Sequence, residues 1–219
     1  MNIKGKKIAF LGDSITEGHG VSSVENRFTD LIAKNEGAII YNYGIGGTRI
    51  AYQKEPSAEP VWDKCFIGRA DEMEPDVDVV FVFGGTNDFG HGDAPIGNIE
   101  NRDPYTFYGA LHTLYTNLIT KYPKSKIVIA TPLPRCDDER IAIINGEEKH
   151  LKLIEYVNII REMAEYYSLP VLDLYKNSGL QPKVPVIRDM YVPDGLHPND
   201  AGHVILADKI TAFFKNEFN

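Results

Sequence analysis

The chain is predicted to be an α/β protein, a three-layer α/β/α sandwich around a mostly parallel five-stranded sheet. Three observations carry that expectation. Five short runs rich in Val, Ile and Phe are apolar throughout instead of alternating, as strands covered on both faces are. Segments with apolar residues three and four positions apart lie between them. The resulting βαβ alternation calls for parallel strands joined by right-handed crossovers, with helices on both faces.

The elements follow in order. Residues 7–11 form the first apolar run, a weaker helix is expected over 24–34, and a second strand over 38–41. The third strand is read at 78–83. A helix then opens with Asp103 as N-cap and Pro104 in its first position, repeats Phe107, Leu111, Leu114 and Leu118 at helical spacing, and stops at Tyr122-Pro123. Strands at 126–130 and 170–172 flank a second helix with Leu151, Ile154, Val157 and Ile160 on its apolar face. A C-terminal helix opened by Pro198 carries Val204, Ala207, Ile210 and Phe214. The order of elements resembles flavodoxin-like topologies. The stretches 52–75, 91–102, 135–148 and 176–193 have weak periodicity and many Pro, Gly and charged residues, and read as binding loops or lids. There is no internal repeat and no Ser/Gly linker, so residues 1–219 are expected to form a single domain.

At 219 residues and 43% hydrophobic content the chain can bury a substantial core. Its formal charge of -8 argues against nucleic acid or anionic lipid as a partner. The start is basic, but too few apolar residues follow before Gly12 for a signal-peptide core or a membrane span, so a cytoplasmic location is expected. The two cysteines, Cys65 and Cys136, have neither metal-ligand spacing nor the makings of a disulfide framework.

The chemistry concentrates at strand exits. The run Ile8-Ala9-Phe10-Leu11 breaks into Gly12-Asp13-Ser14-Ile15, and near the other end lies Asp194-Gly195-Leu196-His197-Pro198. A serine hydroxyl is a weak nucleophile unless a base lies within hydrogen-bond reach and a third group orients that base. His197 is the candidate base and Asp194 its orienter. Acyl transfer also needs donors aimed at the developing oxyanion. Asn42-Tyr43-Gly44-Ile45-Gly46-Gly47-Thr48 and Phe83-Gly84-Gly85-Thr86-Asn87-Asp88 supply them, with the Ser14 N–H, the Gly47 N–H and the Asn87 amide as candidates.

Gly12-Asp13-Ser14-Ile15, Gly47, Gly84-x-x-Asn87-Asp88 and Asp194-x-x-His197 resemble, in order, the four blocks of the SGNH hydrolase superfamily, the GDSL lipases and esterases. The resemblance spans residues 12 to 198. It implies the SGNH hydrolase fold, Ser14 as nucleophile, Gly47 and Asn87 as oxyanion donors, His197 as base and Asp194 as its partner, with neither metal nor organic cofactor. Only register with the family pattern selects Gly47 from the glycines of its block. Gly46 stands where many relatives carry Ser, a departure that bears on loop rigidity. The G-x-S-x-G elbow fits less well, since Thr16 stands at its second glycine.

Blander roles exist for the same residues. Ser14 followed by Glu17 fits a helix capping box, Asn87-Asp88 a turn or cap, and Asp194-Gly195 a common turn. Asp88 is read as supporting its loop. The run Gly44-Ile45-Gly46-Gly47 is not a dinucleotide loop, since the last glycine of that motif would fall on Arg49. Asp13, Arg49 and His91 are the candidates for substrate contact. Tyr52, Trp62, Phe89, Tyr105 and Arg135 are further residues that could line the pocket, while His19, His112, His150 and His203 read as structural or exposed. The expected activity is hydrolysis of a short acyl ester, O-acetyl on a carbohydrate by family analogy, so a small-molecule or oligosaccharide ester is the expected partner. Lysophospholipase or thioesterase activity, acyl transfer to another alcohol, and a non-catalytic carbohydrate-binding protein on the same scaffold are the alternatives.

Overall fold

The computed structural model describes residues 3–217. Met1 and Asn2 of the basic start lie outside them. In chain order the elements are β1 (Lys7–Gly12), α1 (Ser14–Glu17), α2 (Phe28–Glu36), β2 (Ile39–Gly44), α3 (Phe66–Glu72), β3 (Val79–Phe83), α4 (Thr86–His91), α5 (Phe107–Lys121), β4 (Lys126–Ala130), β5 (Glu139–Ile144), β6 (Glu147–Lys152), α6 (Leu153–Tyr166), β7 (Val171–Leu172), α7 (Leu174–Asn177), α8 (Pro185–Tyr191) and α9 (Asp200–Glu217).

The main sheet runs β2-β1-β3-β4-β7, and every pair in it is parallel. Successive residues of a strand point to opposite faces, which explains why these runs are apolar throughout. Ala9, Leu11, Val80, Val82, Ile127 and Ile129 enter one core, under α3, α5 and α6. Ile8, Phe10, Val79, Phe81, Phe83 and Val128 enter the other, under α2 and α9. The chain leaves β1 for β2 on one side and continues with β3 on the other. The carboxyl ends of β1 and β3 therefore flank a topological switch point, the crevice where open α/β sheets bind ligands.

Several sequence expectations shift. Helix α5 starts at Phe107, because the Thr106 hydroxyl accepts the Gly109 N–H at 3.1 Å, while Asp103 and Pro104 form the preceding turn. Leu151 belongs to β6 and not to the apolar face of α6. Val204 is 47% exposed, so the buried face of α9 is His203, Leu206, Ala207, Ile210 and Phe214 instead. That helix begins at Asp200, past Pro198. The connection 52–75 contains α3, and 176–193 contains α8. The stretch 135–148 holds most of an antiparallel hairpin, β5 with β6, turned by Asn145 and Gly146, both at positive φ.

Candidate active site

Gly12 ends β1, and a Cβ there would lie 2.0 Å from Thr16 Oγ1, so the chain can fold straight into α1 only with glycine at this point. The Asp13 carboxylate then accepts the Ile15 N–H at 3.1 Å and caps the helix. Ser14 is thus the first helical residue and not the cap. Glu17, read from sequence as its capping-box partner, instead accepts the Gly46 N–H at 2.9 Å. The Ser14 side chain sits at the crevice with its Oγ 3.0 Å from His197 Nε2.

The segment before α9 brings the other two groups in. Gly195, at φ +81°, makes the tight turn. One Asp194 oxygen accepts the Leu196 and His197 N–H groups at 2.8 and 2.7 Å, and the other faces His197 Nδ1 at 2.6 Å. Partial burial pushes the Asp194 carboxyl up, but those N–H groups and the imidazole outweigh it and hold it below the usual carboxylate range. Burial holds His197 below the ordinary histidine value despite Asp194. At neutral pH the ring is therefore uncharged, with its Nδ1–H donated to the Asp194 carboxylate and its Nε2 lone pair toward Ser14. Such an arrangement lets a histidine take a hydroxyl proton while a carboxylate fixes its tautomer.

The loops after β2 and β3 close on the same point. Gly47 has φ +74°, and a Cβ on it would lie 2.1 Å from the Trp62 ring, so both conformation and space require glycine. Its N–H has no hydrogen-bond partner among the described residues. The Asn87 amide donates to the Thr48 carbonyl at 3.0 Å, which ties the two loops together. Asp88, fully buried, accepts the Ile50 and Ala51 N–H groups at 2.9 Å, and burial lifts its carboxyl to about 6. Beneath them Arg69 donates to the carbonyls of Gly12 and Tyr43 and to the Thr48 hydroxyl, lacing the ends of β1 and β2 to the Gly47 loop. A serine, a histidine, a carboxylate and two donor loops thus meet at the switch point. The model of the GDSL-like lipase/acylhydrolase family matches residues 10–205.

The chain belongs to that family. It is a serine ester hydrolase of the lipase/acylhydrolase type. A protein of known structure from Lactobacillus plantarum is 32% identical over 99% of this acylhydrolase and 100% of its own chain, with a TM-score of 0.83. The lipase/acylhydrolase from Enterococcus faecalis is 23% identical, covering 97% and 96% of the two chains at a TM-score of 0.63. A member of the lipolytic G-D-S-L family from Veillonella parvula is 18% identical over 96% and 98%, at 0.65. The last two share the fold. No curated protein matches the sequence.

The three candidates for substrate contact are placed differently. Asp13 is buried beside Arg69 and occupied as a cap, and burial pushes its carboxyl up to about 7. Arg49 is also buried, its guanidinium committed to Asp63 at 2.8 Å, to Ser57 and to His91 Nδ1 at 3.2 Å. His91 ends α4 with its ring 4.7 Å from that of Trp62. Burial and the nearby Arg49, Arg140 and Arg135 lower it to about 4, so it is neutral.

Two residues were not singled out from the sequence. Arg69 gives no local signal, because its role depends on two strand ends and the Gly47 loop meeting. His19 packs its ring 4.3 Å from His197, across more than 170 residues of chain. Potential metal-ligating atoms of His19, Asp194 and His197 lie within 4.8 Å of one another, but Asp194 and His197 already bond each other and Ser14.

Proposed function

We propose that Ser14 attacks the ester carbonyl while His197 Nε2 takes its proton, with Asp194 holding the imidazole. The oxyanion then faces the Ser14 N–H, the Gly47 N–H and the Asn87 amide. Collapse expels the alcohol, which receives the proton from His197. A water, deprotonated by the same nitrogen, adds to the acyl-serine and releases the acid and free Ser14. The observation that carries this reading is the unbroken hydrogen-bonded line from Ser14 through His197 to Asp194. We take this machinery to belong to one hydrolase domain spanning the chain.

The substrate we infer is a short acyl ester, an O-acetyl group on a carbohydrate or oligosaccharide. A cavity of about 250 Å³ next to the Gly47 loop is lined by Arg49, Tyr52, Trp62 and Tyr105. That is under the roughly 300–1,000 Å³ usual for small-molecule pockets, and its mixture of rings and polar groups suits a sugar better than a long acyl chain.

Turnover of p-nitrophenyl acetate, butyrate and octanoate by wild type and Ser14→Ala tests mechanism and acyl length together. Activity falling with chain length, abolished in the variant and by serine-directed phosphonates, is expected. Undiminished hydrolysis by Ser14→Ala overturns the mechanism, and a maximum at eight carbons overturns the short-acyl reading. Asn87→Ala is expected to lower turnover about 10²- to 10³-fold, the usual loss for one oxyanion donor.

A further inference from the structure

Arg135 occupies the loop that follows β4, at the same edge of the sheet as the Asn87 loop after the neighbouring β3. Its Nη1 lies 3.3 Å from the Thr86 hydroxyl and 3.4 Å from the Thr86 carbonyl, one residue before Asn87. The next residue, Cys136, donates its N–H to the Gly195 carbonyl at 2.9 Å, inside the turn that carries Asp194 and His197. The loop that carries Arg135 therefore lies between the Asn87 corner and the Asp194–His197 turn.

The partners of this guanidinium are poor. Both hydrogen bonds are at the long limit, and its Nε is buried with no partner. Among the described residues no carboxylate pairs with it. Four other arginines withdrawn from water each have a better-placed acceptor. Arg49 also leaves its Nε unpartnered but has Asp63, Arg161 has Asp173 at 2.9 Å, Arg69 has four acceptors, and Arg140 caps α4 through the carbonyls of Phe89 and Gly92. Arg135 rests 5.5 Å from the Phe89 ring centroid, which orients its plane without supplying charge. The carboxylate with the largest effect on it, the exposed Asp137 two residues on, forms no ion pair or hydrogen bond with it, and the next two, Asp194 and Asp13, are committed to His197 and to the Ile15 N–H. A half-buried cation with no counter-ion is costly by itself and gains most when an anion arrives.

We propose that Arg135 binds a carboxylate carried by the substrate beside its scissile ester, which makes acylated acidic sugars the substrate class of this enzyme. The assignment rests on the esterase reading given above and refines it. A guanidinium fork matches a planar carboxylate with two parallel hydrogen bonds, and two N–H edges of Arg135 lack strong partners.

The test begins with inhibition of p-nitrophenyl acetate hydrolysis by glucuronate, glucose and glucose 6-phosphate. Glucuronate is expected to compete about tenfold or more better than glucose with wild type. Arg135→Gln is expected to erase that difference while keeping turnover of the neutral acetate within about threefold, and Arg135→Lys to keep part of it. Monoacetylated glucuronate is expected to exceed monoacetylated glucose in kcat/KM by a similar factor, chiefly through KM, in wild type alone. Equal competition by glucuronate and glucose overturns the proposal, as does a preference that survives in a folded Arg135→Gln. Competition by glucose 6-phosphate alone overturns the carboxylate and assigns a phosphate. Should Arg135→Gln fail to fold, the wild-type competition and Arg135→Lys decide. If p-nitrophenyl acetate is not turned over at all, the esterase reading fails first, and titration calorimetry of glucuronate against glucose with wild type still decides the role of Arg135.

Discussion

Two histidines six residues apart, on either side of the start of α9, both have a lowered proton affinity, for opposite ends. His197 is half-buried, and both its ring nitrogens are engaged, by Ser14 and Asp194. His203 is fully buried and stacked on Phe28 at 5.8 Å and 13°, its Nδ1 accepting the Phe28 N–H at 3.1 Å. Its Nε2 has no partner. Burial is the leading cause in both and takes His203 down to about 4. A depressed histidine therefore marks a reactive group only where the free lone pair opens onto a cleft and a nucleophile. Sealed inside, the same property reports an imidazole used as packing.

The largest expected effects separate the two. His197→Ala should reduce ester hydrolysis by on the order of 10⁴-fold or more, with little change in melting temperature. His203→Ala should do the reverse. Loss of its packing and of the acceptor for a buried N–H is expected to cost roughly 2–4 kcal/mol, with kcat of the folded enzyme within about threefold of wild type. Parallel melting curves and initial rates check both. A His203→Ala enzyme that is stable but inactive would break the comparison.

Acid should sharpen it. His203 binds its proton at about 4 when folded and at 6.5 when unfolded, so its neutral form supports the fold fully above pH 6.5. That support is lost as pH falls toward 4, and amounts to about 3 kcal/mol. The buried Asp13 and Asp88 act with the opposite sign, because their raised values make the fold gain stability on acidification. The readout is therefore a difference between two proteins. The gap in unfolding free energy between wild type and His203→Gln, which keeps an acceptor for Phe28, should shift against wild type by about 3 kcal/mol between pH 7 and pH 4. A constant gap would show that His203 does not titrate with folding. Activity depends on His197 instead, and the acid limb of kcat/KM should lie below 6.5.

The same contrast explains what the sequence made legible. The strands were readable because each faces two cores, and so was the candidate site, because its four blocks carry distinctive short patterns and three of them sit at the exits of β1, β2 and β3, the fourth lying between α8 and α9. His203 was not, since a histidine in a helical repeat gives no sign of whether it turns inward, and only α2 packing against α9 decides. Val204 took its place in the expected apolar face. The hairpin was hidden although Asn145-Gly146 is a strong turn signal, because Ile141 and Ile143 are apolar yet 66% and 65% exposed and blur the alternation. Thr106 took the capping role from Asp103 by a hydroxyl geometry that composition cannot rank.

The smallest effect tests whether His197 is tuned by its surroundings as well as by burial. The exposed His19 lies 4.3 Å away, ring to ring, and its charge when protonated opposes a second charge on His197. Removing it should let His197 bind its proton more readily. His19→Phe keeps a ring in that space, so the acid limb of kcat/KM is expected to move to higher pH, with the plateau rate within about threefold of wild type. A downward shift would mean that His19 stabilises the imidazolium. An unchanged limb would leave burial, Asp194 and the nearby Arg135 as the influences on the base, with His19 a neighbour that does not tune it.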